Sequence, residues 1–268
     1  MADFSPLWAL VLFLIPFLFW KDMVTLDQKL KDPENYWLGA FHIFDWEILE
    51  IQHLVKEFET DPFKMHSATS VVASPQVSLT TKMFYVQALA KVGGQFAGEV
   101  LFGIVYSGAT EWRLRVRALV MLGFCDDLTE EALDELHNLT RRGLGEDAPE
   151  EVKNSALLAF GTQIQKICRD VEGADERWFS VLEAVCELPE FAHSSVSVFA
   201  MANTRLPQAQ EYLFRALEDQ DPQRRYDVAA VLQIFPGPRT RDHLRKAMAL
   251  EEDPEIRKRL QRTLKAIL

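Results

Sequence analysis

Asp221-Pro222-Gln223-Arg224-Arg225-Tyr226-Asp227-Val228-Ala229-Ala230 and Asp253-Pro254-Glu255-Ile256-Arg257-Lys258-Arg259-Leu260 are two versions of one short text. Fainter versions stand upstream. Six ten-residue segments can be laid over one another: 84–93, 114–123, 152–161, 194–203, 224–233 and 256–265. Their starts lie 30, 38, 42, 30 and 32 residues apart. A period in that range is the mark of a helical solenoid. One unit cannot bury its apolar face alone, so neighbours stack into a continuous core and leave long surfaces free.

Between the segments lie further amphipathic stretches, 95–106, 129–142, 175–187, 208–217 and 240–250, read as the first helix of each pair. The aligned segments are then the second helices. Thr129 with Glu130 opens one helix, Gly143 and Gly145 close it, and Pro149, Pro222 and Pro254 stand at helix starts. Pro189, Pro207 and Pro236-Gly237-Pro238 mark turns. No stretch sustains the two-residue alternation of a strand. The spacing of 42 implies long helices or a longer loop around Cys168 to Asp175.

The second-helix text resembles HEAT repeats, including the shorter HEAT-like variety known from bilin lyases. An acidic residue and Pro precede an aliphatic-basic pair, and small residues follow. Here the matching stretches are Asp221-Pro222 with Arg224-Arg225, Asp253-Pro254 with Ile256-Arg257, Pro149 with Val152-Lys153, and Glu111-Trp112 with Leu114-Arg115. Phe84-Tyr85 and Ser194-Ser195 depart from the pattern. The likeness spans residues 80–268, about seven-tenths of the chain. It implies an all-α fold, a right-handed α-α superhelix of about six helical hairpins. Small residues such as Ala118, Ala156, Ala159, Ala200, Ala202, Ala229 and Ala230 let helices approach closely, and the basic residue can reach a neighbouring repeat.

Ahead of the array, Phe4 to Trp20 carries no charge. As a helix these 17 residues reach roughly 25 Å, at the short end for a bilayer. Trp8 and Trp20 sit near its ends, Pro16 would kink it, and Lys21 follows at once. The segment is apolar all round and lacks a basic start and a cleavage site, which argues for a membrane anchor over a signal peptide. Lys21, Lys29 and Lys31 all follow it, which places the bulk of the chain on the cytoplasmic side. The expected organisation is an anchor at 1–22, a juxtamembrane amphipathic helical segment at 23–65, a Ser/Thr-rich linker at 66–80 and the solenoid at 81–268.

The net charge is −11, from 40 acidic and 29 basic side chains, which disfavours nucleic acid. Residues 209–268 hold 12 basic and 10 acidic side chains, so the charge lies upstream. Cys125, Cys168 and Cys186 form no CxxC pair and suit free thiols in a reducing compartment.

Catalytic patterns are thin. No two histidines fall at i, i+3 or i+4, and the His-Glu dipeptides of the deoxyhypusine hydroxylases, another HEAT-like family, are missing. Gly93-Gly94 lacks the Lys-Ser/Thr of a phosphate loop, and His193-Ser194-Ser195 has no strand-turn-helix elbow. Trp112, Arg113, Arg115, Arg117 and Trp178 supply some ingredients of the HEAT-like DNA glycosylases. No cofactor, metal or small-molecule substrate is expected. The leading reading is a non-enzymatic, membrane-anchored adaptor that binds a protein partner along exposed positions of the second helices. Arg117, Asn154, Ser197, Tyr226 and Arg259 are the expected contacts, with Arg225 beside Tyr226. The alternative is a HEAT-like enzyme, lyase or glycosylase, working in the concave groove.

Overall fold

Asp61, Ser78, Ser194, Asp221 and Asp253 start helices in one way: the side-chain oxygen accepts a backbone N–H of the first turn. Pro62, Pro222 and Pro254 follow the aspartates at the first helical position, where an amide would have no partner. Pro207 and Pro238, expected in turns, occupy the same kind of position.

The computed structural model describes residues 49–145, 149–170 and 174–267. They belong to one compact unit, Leu49–Leu268. The apolar segment with Trp8, Pro16, Trp20 and Lys21 lies outside the described residues. Among the described residues there are thirteen α-helices and no strand. They are α1 (Leu49–Thr60), α2 (Pro62–Ala73), α3 (Leu79–Val92), α4 (Gly94–Tyr106), α5 (Trp112–Phe124) and α6 (Glu130–Arg142). There follow α7 (Glu150–Asp170), α8 (Ala174–Cys186), α9 (Ser195–Thr204), α10 (Pro207–Ala216), α11 (Pro222–Val231), α12 (Pro238–Leu250) and α13 (Pro254–Ala266). A 3₁₀ turn, Leu232–Ile234, extends α11. Among these helices none is long and apolar enough to cross a membrane.

The odd-numbered helices form one layer, each packing on the next from α1 to α13, and the even-numbered helices lie against it, with α2 also on α4 and α6 on α8. All six aligned segments fall on odd helices, α3 to α13, and all five intervening stretches on α4 to α12. The stack also extends upstream. Residues 66–73, expected in a linker, are helical, and α1 packs on α3 while α2 packs on α4. The cause is local: Asp61 caps a helix and Pro62 occupies its first position, so the chain re-enters a helix just before residue 66. The Ser/Thr/Ala composition of α2 then serves burial, since Met65, Ala68 and Val72 fall on one face.

Inner helices are buried on two sides and end helices on one. On α5, Leu114, Val116, Ala118, Leu119, Met121 and Leu122 are all buried. On α13 the buried positions are Ile256, Arg259, Leu260 and Thr263, while Arg257, Lys258, Gln261, Arg262 and Lys265 are exposed. Helix α7 accounts for the long spacing, with 21 residues against 10 for α9 and α11. Its additional turns reach the end of α5, where the Gln163 side-chain amide donates to the carbonyl of Cys125 at 2.7 Å and to that of Leu122. Lys166 donates to the Cys125 carbonyl at 2.9 Å. The Cys125 carbonyl lies past the end of α5, beyond the reach of that helix's own amides, while the Leu122 carbonyl also accepts the Cys125 amide at 3.3 Å.

The odd layer is tight because glycine meets alanine. A Cβ on Gly123 would lie 3.2 Å from Ala159 Cα, and one on Gly161 would lie 2.2 Å from the Ala200 carbonyl oxygen. The latter clash is with backbone, so α7 and α9 would have to separate. Gly161→Ala is expected to destabilise the protein by about 1–3 kcal/mol or more. Gly108→Ala, with open space at the same distance, is expected to change stability by under about 0.5 kcal/mol. Urea unfolding of both variants checks this.

Candidate functional site

Counting one to ten along each aligned segment, the fourth position holds Gln87, Arg117, Ser155, Ser197, Asp227 and Arg259. All six are buried. Arg117, Ser197 and Arg259 were expected to face a partner, and the structure turns them inward. The reason is helical geometry: Arg117 and Arg259 lie three residues beyond the buried Leu114 and Ile256, and Ser197 lies three and four residues before the buried Ala200 and Met201, so each shares its helix's inward face. Asn154 and Tyr226 stand at the third position and are half-buried. The Arg259 guanidinium lies over the Tyr226 ring, 5.7 Å from its centroid, so these two meet each other across α11 and α13.

The second position carries the basic residues, and these tie repeats together. Arg115 donates through Nε to the Val105 carbonyl at 2.7 Å, at the end of α4. Arg225 grips Glu251 with two parallel bonds, Nε to Oε2 at 2.8 Å and an Nη to Oε1 at 2.9 Å. Its other Nη donates to the carbonyls of Asp219 and Gln220. Arg257 in turn donates to the Glu251 carbonyl at 3.1 Å. Arg225 therefore joins successive pairs, with all three of its nitrogens bonded within this chain.

Glu251 is the residue that sequence reading missed. It is buried, with a carboxylate that also accepts the Asp253 amide at 3.0 Å. Arg225 beside it holds its carboxyl below the usual range. Asp219 stands in the same place one unit earlier, three residues before Pro222, and accepts the Asp221 amide at 2.9 Å. That shared offset from proline is the signal that was available. Arg225→Ala is expected to cost about 1–3 kcal/mol of unfolding free energy at pH 7, because it strips a buried carboxylate of its cation. The loss should shrink as pH falls through the folded pKa of Glu251, where protonation removes the charge. Arg225→Lys should restore less than half, since an ammonium cannot make the paired bonds.

A second polar cluster lies between α9, α10 and α11. Tyr212 Oη is 3.2 Å from Ser197 Oγ and accepts from Arg224 at 2.8 Å, and Arg224 lies 3.5 Å from Asp219. Ser195 donates to Asp227, which also accepts from the Gln223 amide at 3.0 Å. Burial pushes the Asp227 carboxyl up to about 6, although both hydrogen bonds and Arg259 favour the charged form. The folded state holds this proton more tightly than the unfolded chain. The stability it contributes is present below about pH 4 and lost as pH rises through about 6. Asp227→Asn should remove that dependence. Measured by urea unfolding, wild type relative to variant should lose about 1–3 kcal/mol between pH 4 and pH 7.

The groups that could have served catalysis are dispersed. Trp178 and Arg117 are each 1% exposed, and Trp178 meets Phe160 edge-on at 5.9 Å. Trp112 is half-buried beside Arg113. Gly93 and Gly94 turn with φ of 71° and 80°, and the Gly94 amide donates to the Asp126 carbonyl at 2.7 Å. Ser194 caps α9, Ser195 bonds Asp227, and exposed His193 lies 3.5 Å from Asp219. Burial pushes the thiols of Cys125 and Cys186 up to about 12, far from a reactive thiolate. Among the described residues no three His, Cys, Asp or Glu side chains converge on a metal position.

What remains is a groove of about 570 Å³ where α10 and α12 diverge. Phe214 and Leu217 form its floor, with His243 stacked flat on Phe214 at 3.8 Å. Lys246, Ala247 and Leu250 continue along α12, and Glu218, Asp219, Arg225, Glu251 and Glu252 complete the rim.

Residues 180–265 match the family model for HEAT repeats. No curated protein matches the chain. The matched span runs from within α8 to the last turn of α13, where the Asp-Pro starts and the buried fourth position recur in stacked pairs and the Arg225–Glu251 clasp joins two of them. Over residues 180–265 the chain carries HEAT-like repeats.

Proposed function

We propose that this protein is a scaffold, held to a membrane by residues 1–22, whose helical array binds a protein partner from the cytoplasmic side. The array itself carries the reading. HEAT repeats commonly mediate protein interactions, and here the polar residues of the second helices are spent on joining one pair to the next. The surface left over is large, and a stiff stack of pairs holds its exposed positions in fixed relative places. For the anchor, the support is the uncharged run from Phe4 to Trp20 with indoles near both ends and Lys21 after it.

Full-length tagged protein purified from membranes in mild detergent should bring down a protein partner in near-stoichiometric amount. Recovery of the chain alone, under cross-linking as well as without it, would count against a scaffold. Deleting residues 1–22 should move the protein from the carbonate-washed membrane pellet to the supernatant, and should leave its helical circular dichroism signal in place. A truncated chain that stays in the pellet would rule out this segment as the anchor.

A further inference from the structure

The groove between α10 and α12 has a chemistry of its own. His243, Lys246, Ala247 and Leu250 stand at i, i+3, i+4 and i+7, so they form one face of α12. That face looks across at Phe214 and Leu217, at the end of α10, and at Glu218 and Asp219 in the turn beyond. Neighbouring odd helices close on each other along their length, whereas α10 and α12 meet at fewer places, among them His243 on Phe214 and Lys246 at Glu218. Phe214 and Leu217 are 5% and 6% exposed, yet Leu250 at the rim is 70% exposed.

The charges are unequal. Glu218, Asp219, Glu251 and Glu252 line the groove, against the fixed cations Arg225 and Lys246, and Arg224 stands behind Asp219 at 3.5 Å. Arg225 and Glu251 neutralise each other with near-ideal geometry and are locked. Lys246 meets Glu218 at 2.9 Å, but both side chains are about two-thirds exposed, so this pair exchanges readily. Glu252 is exposed at the rim, and no described residue forms an ion pair with it. The groove is therefore acidic, apolar along its base and large enough for a few peptide side chains.

We propose that this groove docks an extended segment of a partner protein in which a large apolar side chain is flanked by basic residues. The apolar side chain covers Leu250, Ala247 and Leu217. The basic ones meet Glu252 and Glu218, displacing Lys246 from the latter. The exposed carboxylates of Glu218 and Glu252 attract such a segment at short range. This rests on the scaffold reading and adds to it the place and the chemistry of contact.

The test uses full-length protein in detergent and three fluorescein-labelled decapeptides in a Gly/Ser background. One carries a leucine between two arginines, the second a leucine between two glutamates, and the third an alanine between two arginines. Fluorescence anisotropy should show the first binding at least tenfold more tightly than either of the others. Its affinity should fall about tenfold with Leu250→Asp and with Glu252→Lys, both exposed positions at which circular dichroism should report unchanged folding. It should also weaken as salt rises. Equal binding of the three peptides, no binding of the first, or binding untouched by both substitutions would overturn the proposal. A co-purified partner that survives both substitutions would leave the scaffold standing and remove the groove as its contact.

Discussion

The close approach of α5, α7 and α9 sets the terms for everything packed around them. Gly123 lies against Ala159 and Gly161 against Ala200, at separations that leave no room for a larger side chain. Helices this near one another place their polar positions in the interior, because a side chain at the middle of each face has nowhere else to go. Burial of Arg117, Ser155 and Ser197 follows from that geometry. The same approach brings α7 within reach of α5, so that Gln163 and Lys166 can satisfy the Cys125 carbonyl, which would otherwise be stranded.

Toward the C-terminus the means of joining changes. Alanine replaces glycine, with Ala229 and Ala230 on α11, and polar groups take a larger share of the contact between pairs. Arg225 holds Glu251, Thr263 donates to the Ala229 carbonyl at 2.7 Å, and Arg259 covers Tyr226. Such directional contacts fix the register between pairs, which apolar packing alone specifies loosely. They also resist sliding, since each link must break before one pair can move along the next.

The pairing of helices was legible in the chain because it rests on local chemistry. Asp-Pro starts, glycine ends and the recurrence of one text announce helices whatever surrounds them, and α4, α6, α8, α10 and α12 begin within about two residues of the positions read. Residues 66–73 were misread because a run of small and hydroxylated residues describes a linker and a tightly packed helix equally well. The fourth position was misread for a different reason. Polar identity suggested solvent, while the three-residue offset from an apolar neighbour pointed inward, and the offset decided the matter. The groove had no sequence signature, because it arises from the divergence of two helices whose lining residues are scattered from 214 to 252. Glu251 was half-legible: Asp219 repeats its offset from proline, but its arginine partner lies 26 positions away.

The one-sided burial of α13 carries a consequence for how the array comes apart. Among the described residues α13 packs on α11 and α12, and its outer face stays exposed. A helix held from one side opens more readily than α5, α7 and α9, which are packed on both. The Arg225–Glu251 clasp is the latch on that opening, and the groove, lined by both sides of the hinge, would vanish with it.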